Sequence, residues 1–155
     1  MPLRLKHLPP QLGGPVEPAK KRSRKGRTPP VRQPDEPLLT HMLFVEGWIP
    51  ATLNELLRKG RWAWTLKKKD RAIIADRAAR VGIPPATSKR RVTLTIRLEP
   101  RKHAGDCDAY FKSLLDGLKH AGLIWDDTPR WCELTPVQFS RGQVKATTVV
   151  LEDVP

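Results

Sequence analysis

Arg91-Val-Thr-Leu-Thr-Ile-Arg-Leu98 alternates apolar Val92, Leu94, Ile96 and Leu98 with polar Thr93, Thr95 and Arg97. A period of two, carried by β-branched residues, marks a strand buried on one face. Pro100 ends it. From about Asp108 to Ala121 the period changes. Phe111, Leu114, Leu115 and Leu118 fall on one stripe of a helix, and Gly122 stops it.

Working outward, Met42 to Trp48 reads as a first strand, stopped by Gly47 and Pro50. Thr52 to Lys59 reads as a short helical turn or a structured loop. Residues 67–81 are helical by pattern: Ile73, Ile74, Ala78 and Val81 share a face, and Lys67, Lys68, Lys69, Arg71, Arg77 and Arg80 form the polar side. Gly82 and Pro84 close this helix. Cys132 to Ser140 and Val144 to Leu151 read as strands joined by a turn at Arg141-Gly142-Gln143. The order βαβαββ predicts an α+β fold, with helices packed on one mixed sheet.

Composition bounds the function. The chain has 155 residues and a net charge of +13. Residues 1–37 hold nine of the 16 prolines, many basic residues and few large apolar ones. Such a segment buries too little surface to offset its ordering entropy, so a disordered tail is expected, with one domain over 38–155. Its basic run, Lys20 to Arg27, reads as phosphate contacts, a nuclear-type address or a solvated linker. Tail and domain are both basic, which favours a nucleic-acid partner. Two cysteines, Cys107 and Cys132, make neither a disulfide framework nor a zinc pattern. No secretory signal and no long apolar run is seen, so no membrane partner is expected. A reducing cytoplasm, with association to the nucleoid, is the expected location.

Against this basic background five acids fall within 22 residues: Asp106, Asp108, Asp116, Asp126 and Asp127. Two carboxylates about 4 Å apart near a surface repel by about 4 kcal/mol, and a hard divalent cation relieves that. Asp108, Lys112 and Asp116 are spaced i, i+4, i+8 and so form one ridge of the helix. Blander roles exist for each element. An Asp at a helix start commonly caps it, Asp and Lys at i, i+4 commonly pair, and Asp-Asp-Thr-Pro is an ordinary turn. Whether the second Asp pair meets the first across the helix is left open by the sequence.

The stretch Asp106-Cys-Asp108-Ala-Tyr-Phe-Lys112-Ser-Leu-Leu-Asp116-Gly-Leu, followed by Gly122 and Asp126-Asp127, resembles the signature of the RusA-type Holliday-junction resolvases. That signature is Asp-x-Asp, a Lys four positions later, Asp-x-Leu, a Gly, then Asp-Asp. The similarity extends over about 42–151 in element order and is specific over 106–127. The Trp48-Ile-Pro50 loop and Asn54 are fainter matches. Two positions depart from it: Ala109 stands where the family usually has Asn, and Gly105 where it often has Arg.

The resemblance implies Mg2+-dependent hydrolysis of DNA phosphodiesters at four-way junctions by a homodimer, with Mn2+ as a substitute ion. It implies Asp106, Asp108 and Asp127 as metal ligands and Lys112 as the contact to the scissile phosphate. Asp116, which would orient Lys112 or else form a surface salt bridge, and Asp126, as an outer-shell or turn residue, are support. Lys67, Lys68, Lys69, Arg71, Lys89, Arg90, Arg91, Arg101 and Lys102 are the candidate DNA contacts, and His103 could touch a phosphate. Trp62, Trp64, Trp125 and Trp131 read as packing residues or as stacking platforms for bases. His7, His41 and His120 lack metal spacing. The alternatives are a basic DNA-binding protein without catalysis, in which the acids serve as caps and salt bridges, and a nuclease for other branched DNA.

Overall fold

The computed structural model describes residues 32–155. The Lys20 to Arg27 run, His7 and most of the expected tail lie outside them. The strands are β1 (Thr40–Glu46), β2 (Lys89–Leu98), β3 (Cys132–Leu134), β4 (Gln138–Arg141) and β5 (Ala146–Val154). The helices are α1 (Leu53–Lys59), α2 (Ala63–Val81) and α3 (Phe111–His120), with 3-10 turns at Gly60–Trp62 and Cys107–Tyr110. The fold is α+β, with α2 and α3 on a five-stranded mixed sheet, as the pattern predicts.

β5 lies between β1 and β2 and is antiparallel to both. Leu43, Val149 and Leu94 therefore form one buried row across three strands. The second edge of β2 is shared in sequence by β3 and β4, both parallel to it. The single strand expected over Cys132–Ser140 is thus two short ones. Pro136 lies between them and has no N–H to give the ladder.

Two further departures have local causes. β1 ends at Glu46, and Trp48 sits in the loop beyond it with a buried indole. The Thr52–Lys59 segment is a helix because Thr52 and Glu55 close a capping box, each side chain bonding the other's backbone N–H. Gly60, at φ +50°, then turns the chain into α2, which starts four residues earlier than the apolar pattern alone suggests.

Because β1 and β2 are both antiparallel to β5, they run in the same direction. Their C-terminal ends lie at one end of the sheet, and α1, α2 and α3 all start there. α2 and α3 return side by side. Gly117 makes this close approach feasible: a Cβ on it would stand 2.3 Å from Ile74 Cδ1. Gly117→Ala gains about 1 kcal/mol of helix propensity but overpacks the α2–α3 contact by more. We expect a net loss of about 1–2 kcal/mol in urea unfolding. Ile74→Val removes the clashing methyl, so in the Gly117→Ala background it should raise the melting temperature, whereas alone it lowers it.

A buried carboxylate joins these elements. Asp70, on α2, is 4% exposed. It accepts from Trp48 Nε1 (2.9 Å), Ala51 N (2.9 Å) and Ser113 Oγ (2.6 Å). The loop after β1 and the first turn of α3 are thereby fixed to one point of α2.

Candidate functional site

Asp106 and Asp108 stand where the chain has left β2 and turns into α3. Asp106 precedes the 3-10 turn Cys107–Tyr110, Asp108 lies inside it, and both are exposed. Asp106 occupies the capping position without using it. Its side chain accepts no cap hydrogen bond, and only its backbone carbonyl is engaged, by Ala109 N at 3.0 Å. Among the described residues, neither acid forms a salt bridge or a side-chain hydrogen bond. Lys112, in the first turn of α3 and also exposed, is equally without a partner among those bonds.

The two departures from the expected signature have a packing explanation. Gly105 N donates to the Tyr110 hydroxyl at 3.1 Å, and a Cβ at Gly105 would meet that oxygen at 3.1 Å. Tyr110 is buried edge-on against Phe139, with ring centroids 5.9 Å apart. An Arg at 105 would press on that ring. Ala109 is itself buried, so an Asn there would need partners for its amide.

Asp126 and Asp127 are elsewhere. After Gly122 the chain is held to the start of β2, through Ala86 N to Gly122 O (2.9 Å) and Arg90 to Leu123 O (2.9 Å). Lys119, in the last turn of α3, bonds Asp127 at 3.1 Å and also bonds Asp126. The Lys119 hydrogen bond holds the Asp127 carboxyl below its ordinary range, and the Asp126 bond raises the Lys119 ammonium above its own. Both therefore stay charged at neutral pH. The ten residues of α3, about 15 Å of helix, lie along the chain between Asp106 and Asp108 and this pair. Lys119 carried no role in the sequence reading, although its spacing of seven and eight residues from the Asp pair was visible.

Among the described residues, no three His, Cys, Asp or Glu side chains gather closely enough to hold a metal ion. One chain thus presents Asp106 and Asp108 together, without Asp127. Among the described residues, Asp106, Asp108 and Asp127 are not close enough neighbours to form such a group. Asp116 bonds Lys67 on α2 at 3.1 Å, a salt bridge that agrees with the second of its two expected roles.

The candidate DNA contacts divide by position. Lys68, Lys69, Arg101 and Lys102 are exposed toward the end of the sheet that carries Asp106 and Asp108. Lys67 is tied to Asp116, and half-buried Arg71 lines a shallow pocket with Asp116, Lys119 and His120. At the opposite end, Arg90 is a correction. It is 1% exposed and bonds Asp153 at 2.8 Å, with its guanidinium also donating to Leu123 O and Pro84 O. Strand alternation turns Arg90 inward, where it pins β2 to β5 and cannot reach DNA. Its neighbours face outward but are already paired: Lys89 with Glu133 (3.8 Å), and Arg91 with Glu133 (3.0 Å) and Glu152 (3.9 Å).

The tryptophans also separate. Trp125 and Trp131 pack on each other, ring centroids 6.1 Å apart. Trp62 and Trp64 are each 57% exposed, so the packing role does not hold for them within the chain. Cys107 is exposed and Cys132 buried, and burial pushes the Cys132 thiol up to about 11. No helix of the described residues is long and apolar enough to cross a membrane. The chain matches no protein-family model, and no curated protein is similar enough to it to count as a relative.

Proposed function

We propose that the protein is a magnesium-dependent endonuclease that resolves four-way DNA junctions as a homodimer, in recombination and repair. The observation that carries this reading is the pair Asp106 and Asp108. In a chain of net charge +13, two exposed carboxylates stand at one turn with no cap bond and, among the described residues, no salt bridge. An unused acidic pair beside Lys112, Arg101 and Lys102 is poorly explained by stability and well explained by a bound cation facing a phosphate.

Magnesium, when bound, supplies a water of lowered pKa and offsets charge building on the phosphate. The chain's own residues do the rest. Lys112 meets the non-bridging oxygens, while Arg101, Lys102, Lys68 and Lys69 hold the backbone of the DNA and set its register. Asp127 enters from the second copy in this reading. A two-fold arrangement that sets the two α3 helices antiparallel brings the Lys119 end of one near the Asp108 end of the other, and the same contact repeats at the second site.

Mixing two inactive variants tests this. Asp108→Asn and Asp127→Asn should each fail to cut a synthetic four-way junction in Mg2+. Mixed and re-equilibrated, they should regain nicking of one strand per junction, because a heterodimer holds one complete acid set. A mixture that stays inactive while the wild type cuts rules out the shared arrangement.

One observation favours the reading without catalysis. Lys119 already bonds both Asp126 and Asp127 and offsets one of their two charges, a structural role that does not call on a metal. If the wild-type protein binds junctions but cuts none in Mg2+ or Mn2+, this second reading stands. Cleavage of flaps in preference to junctions would instead assign the protein to other branched DNA.

A further inference from the structure

We propose that Trp62 and Trp64 form a stacking platform for unpaired bases of single-stranded DNA, beside the acidic turn. The proposal rests on the reading of this chain as a DNA-binding protein and is independent of whether it cuts.

Two large indoles left 57% exposed are unusual when a core is at hand, and the same chain buries Trp48 fully enough to bond its N–H. The local backbone explains why these two stay out. Gly60 breaks α1, the 3-10 turn ends at Trp62, and α2 begins at Ala63. Two residues apart at a helix start, the two side chains do not face each other, so neither ring covers the other and each is left to take its own base.

Each ring is steadied by a cation. The Arg61 guanidinium lies 5.6 Å from the Trp62 ring centroid, and the Lys68 ammonium 5.9 Å from that of Trp64. Such contacts fix a ring through one face and leave the other for a base. Between Leu53 and Lys69 there are six basic residues, and the one acid, Glu55, is occupied in the capping box. Arg58, Lys59 and Lys69, close to the two rings in sequence, are exposed and available to phosphates. Aromatic faces interleaved with cations are what a single strand recognises, since every base has a π-face and every nucleotide a charge. α1 packs against the 3-10 turn that holds Asp108, so a strand on this platform borders the acids.

The test compares a short oligo-dT strand with a blunt duplex of the same length at one salt concentration. Oligo-dT should quench the tryptophan fluorescence of the wild-type protein. Trp62→Ala and Trp64→Ala should each weaken oligo-dT binding about tenfold, leaving duplex binding within about twofold. Trp62→Phe and Trp64→Phe should recover most of the loss, which removal of a merely structural residue would not predict. Equal losses on both DNAs, or none, overturn the platform while leaving the DNA reading intact. If the wild type binds neither DNA, both fall. Two other outcomes also overturn it: dissociation of a dimer by the alanine variants with oligo-dT affinity unchanged, or binding to anionic phospholipid vesicles without binding to oligo-dT.

Discussion

Asp108→Asn should slow cleavage of a four-way junction about a thousandfold and leave stability within about 0.5 kcal/mol of the wild type. The two halves of this expectation have separate causes. Loss of a carboxylate that shares a cation with the reacting phosphate forfeits several kcal/mol of transition-state stabilisation, and about 4 kcal/mol is a factor of about a thousand. Stability is spared because Asp108 is exposed and has no partner among the described salt bridges and hydrogen bonds. Single-turnover cleavage and thermal melting of the same sample check both. A drop in activity matched by a loss of several kcal/mol in stability would mean that the acid is structural.

The opposite signature is expected at Asp70. Asp70→Ala should destabilise the fold by about 3–5 kcal/mol, the largest single effect foreseen among the polar residues. It leaves three buried donors without an acceptor: the Trp48 indole, the Ala51 amide and the Ser113 hydroxyl. Hydrogen bonds to an ionised carboxylate are about twice as strong as neutral ones, so the loss exceeds that of an ordinary buried pair. Asp70→Asn keeps an acceptor oxygen and should cost about 1–3 kcal/mol. Urea unfolding followed by far-UV circular dichroism reads both variants. A cost below about 1 kcal/mol for Asp70→Ala would show that water replaces the carboxylate freely.

Sheet and helices were legible where burial imposes a period. β2 alternates along its whole length because one face is covered, and α3 carries an unbroken apolar stripe. Where a single residue decides the local structure, the pattern was silent. Pro136 splits a strand that hydropathy joins, and the capping box makes a helix of a stretch with only Leu56 buried. The site divided similarly. The Asp106–Lys112 spacing is local, so the sequence places those residues close together, across the 3-10 turn and the first turn of α3. Asp127 depends on where the chain goes after Gly122, and bonds from the Ala86 amide and the Arg90 guanidinium decide that from a distance. Arg90 shows the limit of counting charge. Lys89, Arg90 and Arg91 look alike in composition, but strand alternation sends the middle one into the interior. Asp70 was hidden for the related reason that a buried carboxylate in a lysine-rich helix reads as surface until its donors are seen.

The position of β5 has a consequence for synthesis. β1 and β2 share no direct ladder; each pairs with β5, which the ribosome makes after every other element of the sheet. Until Val154 has emerged, the nascent chain carries two finished strands with open edges toward the missing one. At about 5–20 residues per second, the 56 residues from Leu98 to Val154 take about 3–11 s to add. Throughout that interval the chain is exposed to edge-to-edge pairing with its neighbours, and its strongly positive charge opposes that association.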